Sequence, residues 1–208
     1  MRSEVKSPLF SREARLEAGF LLRKLQEGQA LELPHSRPMP AIGERCHELR
    51  IVVVNMTSRV IYRVDFDAIV IADVFGEKSQ STPNSVLGDR RGHCGSMTMR
   101  SSKRRRLEAK GWKVGSASEF LGLSHEEVAY VEIKLRLAQC LRDRRLRRRM
   151  TQLDLAKAIK SSQSRVAKME AGESSVSLDL LVRTLLALGT SSSDLRRLLA
   201  PRRSAPAV

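Results

Sequence analysis

The stretch "MTQLDLAKAIKSSQSRVAKMEAG", Met150–Gly172, sets the architecture of the chain around it. Thr151 can cap a first short helix, with Asp154 at the capping-box position. Leu155, Ala156 and Ile159 then share an inward face, and the small Ala156 lets a second helix cross closely. Lys160–Ser161 make a turn, and Ser162 can cap the second helix. Val166 and Met169 supply that helix's inward face, and Glu170 and Gly172 end it. Gln163, Ser164, Arg165 and Lys168 are left pointing outward near the helix start. A helix that meets base edges in the DNA major groove needs this arrangement. Glutamine suits adenine there, and arginine suits guanine or phosphate.

The flanking sequence extends the helical pattern. Upstream, Ser124-x-x-Glu127 opens a long helix with Val128, Val131, Leu135, Ala138, Leu141 and Leu146 at helical spacing. Its end carries Arg142, Arg144, Arg145, Arg147, Arg148 and Arg149, where cations suit the helix dipole. Downstream, "VSLDLLVRTLLALG" is capped by Ser177 and stopped by Gly189, and "SSSDLRRLLA" forms a last helix. The spaced motif resembles the Cro/cI-type helix-turn-helix of the XRE family, over residues 124–200. The resemblance implies that Gln152, Ser162 and the helix amides hold phosphates, with Thr151 also among the DNA-binding residues. Gln163, Ser164, Arg165 and Lys168 would then read bases in a double-stranded DNA operator, with the protein acting as a homodimer. Lys160 stands where that family usually has glycine, which implies a slightly strained turn.

Charge supports the same half. Residues 1–96 carry 14 Lys/Arg and 12 Asp/Glu, while residues 97–208 carry 24 and 11. Nearly all of the net +15 therefore lies in the second half, which points to a polyanion partner. No apolar run is long enough for a membrane span, and the N-terminus lacks a signal peptide's apolar segment. Three cysteines make a disulfide framework improbable and favour the cytoplasm.

The first half has a different texture. Ser11 to Glu27 reads as an amphipathic helix, with Gly28 as its stop. "ELPHSRPMPAIG" carries Pro34, Pro38 and Pro40 and reads as a loop or edge connection. "RCHELRIVVV", "RVIYRVDF" and "AIVIADVF" are three strand signals, with turns at Asn55–Thr57 and near Asp67. The fold class expected is multidomain: an α+β unit, with a small antiparallel sheet and an N-terminal helix, followed by an all-α helix-turn-helix bundle. "GEKSQSTPNSVLGDRRGHCGS" loses all periodicity, and Gly88, Gly92 and Gly95 disfavour a helix.

"HSRPMPAIG", "CHELRI", "RVIYRVDFDAIVI" and "VFGEKSQSTP", taken in order, resemble the HigB/RelE-like toxins of bacterial type II toxin–antitoxin systems, in their phage-related branch. From Met97 the chain resembles a complete HigA-like antitoxin. The two products look joined end to end, with the toxin's last helix lost. Domains are expected at 1–84 (toxin-like), 85–100 (connection), 101–123 (short helices of the antitoxin) and 124–200 (helix-turn-helix). Within 101–123, Ser102 to Lys110 reads as a basic helix stopped by Gly111, and Ser116-x-x-Glu119 is a capping box.

The toxin family cleaves mRNA, usually on the ribosome, without a metal. Such chemistry needs cations on the scissile phosphate and a group that activates the 2′-hydroxyl. The resemblance makes Arg50, Arg59, Arg63 and Lys78 the catalytic candidates, with His47 as an acid/base option. Glu77–Lys78 replaces the family's usual double lysine. Cys46–His47 and His93–Cys94 do not have zinc-finger spacing, and adjacent strand residues face opposite ways, so no metal is expected. No cofactor is expected either. The sequence thus implies a DNA-binding autorepressor carrying an inactive or self-neutralised toxin-like unit, with a cis-inhibited mRNA endoribonuclease as the alternative.

Overall fold

A computed structural model describes residues 10–53, 56–65, 68–75, 93–96, 101–109 and 113–200. The chain forms two compact units, Met1–Ser124 and His125–Val208.

In the first unit, α1 (Arg12–Gln26) is capped by Ser11, whose Oγ accepts from the Ala14 amide at 3.2 Å. Gly28, with φ +77°, follows its end, a conformation only glycine takes cheaply. Six strands follow in sequence order across one sheet: β1 (Ser36–Pro38), β2 (Cys46–Val53), β3 (Met56–Asp65), β4 (Ala68–Phe75), β5 (His93–Ser96) and β6 (Lys113–Gly115). Neighbours are antiparallel except β5 and β6, which run parallel. Proline-bearing β1 lies at an edge, where a missing donor is tolerated.

Side chains alternate across this sheet. Leu49, Ile51, Val60, Tyr62, Ile69 and Ile71 pack in one core with Ala18, Leu21, Leu22 and Leu25 of α1. Glu48 and Arg50, and Arg59 and Ile61, fall in the alternate positions of β2 and β3 and are register partners of one another. A register shift between Ile61 and Tyr62 marks a bulge against β4.

Three strands, β1, β5 and β6, lie beyond the three read from sequence, and β1 falls on the proline-bearing stretch read as a loop or edge connection. The stretch 85–100, expected as a connection, contains β5. Its four residues, His-Cys-Gly-Ser, have almost no strand propensity, and pairing with β4 rather than composition makes them extended. Downstream, α2 (Ser101–Ala109), β6 and α3 (Ala117–Leu121) fall in the first unit rather than with the second half. Phe120 and Leu121 of α3, at 5% and 2% exposure, join the core beside α1. The expected box at Ser116 and Glu119 forms, with both bonds at 3.1 Å.

The second unit has five helices among its described residues: α4 (His125–Arg147), α5 (Gln152–Ala158), α6 (Gln163–Ala171), α7 (Leu178–Ala187) and α8 (Ser192–Leu199). Leu137, Leu141, Leu155, Ala156, Val166, Met169, Val176, Leu181, Leu185 and Leu188 form its core. Leu146, read as part of the inward stripe of α4, is 53% exposed, because at about 100° per residue it stands well round the helix from the buried Leu141 and the buried Arg145 takes the inward position instead. Lys134 is fully buried and donates from Nζ to the Ser174 carbonyl at 2.7 Å, which ties α4 to the segment after α6. The molecule is therefore an α+β unit followed by an all-α bundle, and no helix among the described residues is long and apolar enough to cross a membrane.

Candidate nucleic-acid interface

Helices α5 and α6 begin where their caps dictate. Thr151 Oγ1 accepts from the Asp154 amide at 3.1 Å, and Asp154 Oδ2 accepts from the Thr151 amide at 2.8 Å. The Thr151 hydroxyl and amide hold the Asp154 carboxyl below its ordinary value. Ser162 Oγ accepts from the Arg165 amide at 3.2 Å and lies 3.1 Å from Ser164 Oγ. Thr151 and Ser162 are thus spent first on closing helix starts, which fixes where each helix begins.

Val166 and Met169, both fully buried, root α6 in the core. At about 100° per residue, Ser164 and Lys168 then occupy the centre of its outward face, flanked by Gln163 and Arg165. All four are exposed. Lys168 Nζ lies 3.8 Å from Glu173 Oε2, a loose surface pair. The Arg165 guanidinium has no partner among the described residues. Gly172 ends the helix at φ +63°, and a Cβ there would stand 3.0 Å from Leu135 Cδ2, so any other residue would be strained in its backbone and would crowd that side chain of α4.

Glu170 does more than end the helix. Its carboxylate accepts from both Nε and Nη2 of Arg145, the latter at 2.9 Å, and from Gln152 Nε2 at 3.0 Å. Arg145 Nη1 also donates to the Met150 carbonyl at 2.8 Å. One buried carboxylate therefore joins the end of α4, the start of α5 and the body of α6. Burial pushes the Glu170 carboxyl up, but the hydrogen bonds from Arg145 and Gln152 outweigh it and hold the group below its usual range. Gln152, expected on phosphate, has one amide hydrogen committed to Glu170 and keeps the other. Sequence spacing missed this network, since Arg145 looked like one of six similar arginines. Arg144 is also engaged, on Asp194 of α8 at 2.7 Å.

In the first unit, Arg50 and Arg59 are cross-strand partners, and both reach Glu48, which is 1% exposed. Arg50 Nη2 lies 3.3 Å from Glu48 Oε2, and Arg59 Nη1 lies 3.1 Å from Oε1. Arg63 stands apart from them, donating from Nε and Nη2 to the Asp65 carboxylate at 3.0 Å each. The structure thus brings two of the expected catalytic cations together but supplies each with an internal anion. Strand alternation could have flagged Glu48, two positions from Arg50 on the same face. His47 stacks on Tyr62 with ring centroids 5.4 Å apart. Lys78 lies outside the described residues.

Compared with known proteins, residues 141–195 match the helix-turn-helix family. No curated protein and no solved structure matches the chain. The matched span runs from the second half of α4 into α8 and contains every second-unit residue described above as cap, network or outward side chain. Residues 141–195 form an XRE-type helix-turn-helix domain, the kind carried by DNA-binding transcription regulators.

Proposed function

We propose that this chain is a sequence-specific DNA-binding transcription regulator that acts in the cytoplasm as a homodimer on its own operator. The observation that carries this reading is the presentation of α6. Gln163, Ser164, Arg165 and Lys168 are exposed on a helix held by its Ser162 cap, its two core residues and the Glu170 network. A helix so fixed places side chains on base edges with little freedom left to lose. Two such helices in a dimer would address half-sites about 34 Å apart.

The test begins with selection of a binding sequence from a random duplex pool. Arg165→Ala is expected to weaken binding to the selected duplex by roughly 10-fold or more, as for a base contact of 1–3 kcal/mol. Binding to random DNA should change far less. Equal loss on both duplexes in gel-shift titrations refutes base reading by Arg165.

The first unit is proposed to be a HigB-like module whose cations are held in internal ion pairs, Arg50 and Arg59 on Glu48 and Arg63 on Asp65. One observation favours the alternative of an mRNA endoribonuclease acting on the ribosome: two guanidiniums share one carboxylate, which leaves that group of three side chains with a net positive charge. Growth arrest on expression of residues 1–124, abolished by Arg59→Ala, would establish the enzyme; harmless expression of a folded fragment would leave the regulator alone.

A further inference from the structure

Four helices of the second unit end in the same hydrogen-bonded turn. In each, the amide two residues past the helix's last carbonyl-bearing turn bonds back six to one, and the residue before it bonds five to two. These pairs are Met150 to Arg145 and Arg149 to Leu146, then Ser161 to Ala156 and Lys160 to Lys157. The same pattern recurs as Glu173 to Lys168 and Gly172 to Met169, and as Thr190 to Leu185 and Gly189 to Leu186. Such a turn needs a left-handed residue, and glycine is by far the cheapest. The ends of α6 and α7 use it, at Gly172 and Gly189. The two turns that bracket α5 instead hold Arg149 at φ 55° and Lys160 at φ 52°. Both side chains are exposed, and neither has a partner among the described residues. Each sits two positions ahead of a cap, Thr151 or Ser162, at the start of a helix of the reading pair.

Strain of this kind persists where function over-determines it. We infer that Arg149 and Lys160 are DNA-backbone clamps: each cation grips a phosphate beside the reading helix, at a position where glycine would give the more stable fold. This rests on the DNA-binding reading above and adds to it two contacts outside the base-reading set. Neither residue reads sequence, so both act on every duplex alike.

The test uses the full chain and a random-sequence duplex, titrated by fluorescence anisotropy from about 50 to 200 mM salt. Arg149→Gly and Lys160→Gly should each flatten the slope of log affinity against log salt by about 0.9, and the double variant by about 1.8. The melting temperature should hold or rise. Arg149→Lys and Lys160→Arg should retain the parent slope, as should Arg183→Gln, which removes a cation from α7. Arg149→Asn and Lys160→Asn, tolerant of left-handed backbone, decide the matter if the glycine variants unfold. A parent slope in the neutral variants, or an equal drop in Arg183→Gln, overturns the inference while DNA binding stands. A parent chain with no salt-dependent binding to any duplex removes the DNA reading itself.

Discussion

Replacing Glu170 by alanine should be the most damaging single polar change in the helix-turn-helix unit. The substitution removes the acceptor of both Arg145 bonds and of the Gln152 bond at once. Arg145 is only 8% exposed, so its cation is left largely dehydrated. Breaking one side of a buried pair costs about 3–5 kcal/mol. The surviving bond from Nη1 to the Met150 carbonyl places this case at the lower end, about 3 kcal/mol. Gln152 is half-buried and can turn to water, which adds little. For a domain of this size, that loss lowers the melting temperature by roughly 12–24 °C. Urea unfolding of the full chain, followed by helical ellipticity, measures it. Glu170→Gln keeps shape and one acceptor and should fall between parent and alanine. The pair Arg145→Met with Glu170→Leu should recover much of the loss, since no charge is left buried. A loss below about 1 kcal/mol, the value of an exposed pair, would refute the claim that this carboxylate joins three helices.

Three further outcomes are expected. Because Glu170 titrates below its unfolded value of about 4.3, it contributes stability that is complete above that pH and is lost as pH falls through the lower folded value; acid titration of the parent should therefore show a limb below about pH 4 that Glu170→Gln flattens. In the first unit, Leu121→Ala should destabilise by about 2–5 kcal/mol, as for a buried leucine, and a fragment of residues 1–96 should show far less protection in hydrogen exchange than one of residues 1–124; equal protection would show that α3 and β6 are dispensable.

Much of this architecture was legible because serine and threonine caps are local. Ser116, Thr151, Ser162 and Ser177 each close a helix where the sequence places a cap. Inward faces were equally plain where helices are amphipathic, as at Val166 and Met169. Pairing decided by distant partners was not legible. The β5 segment is extended because β4 offers it an open edge, and the apolar Phe120 and Leu121 could as easily have belonged to a bundle. Charge was misjudged for the same reason. A row of arginines looks uniform in sequence, but burial sorts Arg144 and Arg145 into internal contacts and leaves Arg149 outside. On the sheet, Arg50 and Arg59, two of the residues expected to be catalytic, both pair with Glu48.

The place of α3 bears on the order of events during synthesis. The first unit's apolar centre takes Phe120 and Leu121 as its final pieces. A nascent chain must therefore clear the ribosome's exit tunnel to that point before the sheet can close, several seconds after its first strands appear at about 5–20 residues per second. A chain released before β6 lacks the last two apolar side chains of its core and leaves β5 without its parallel neighbour.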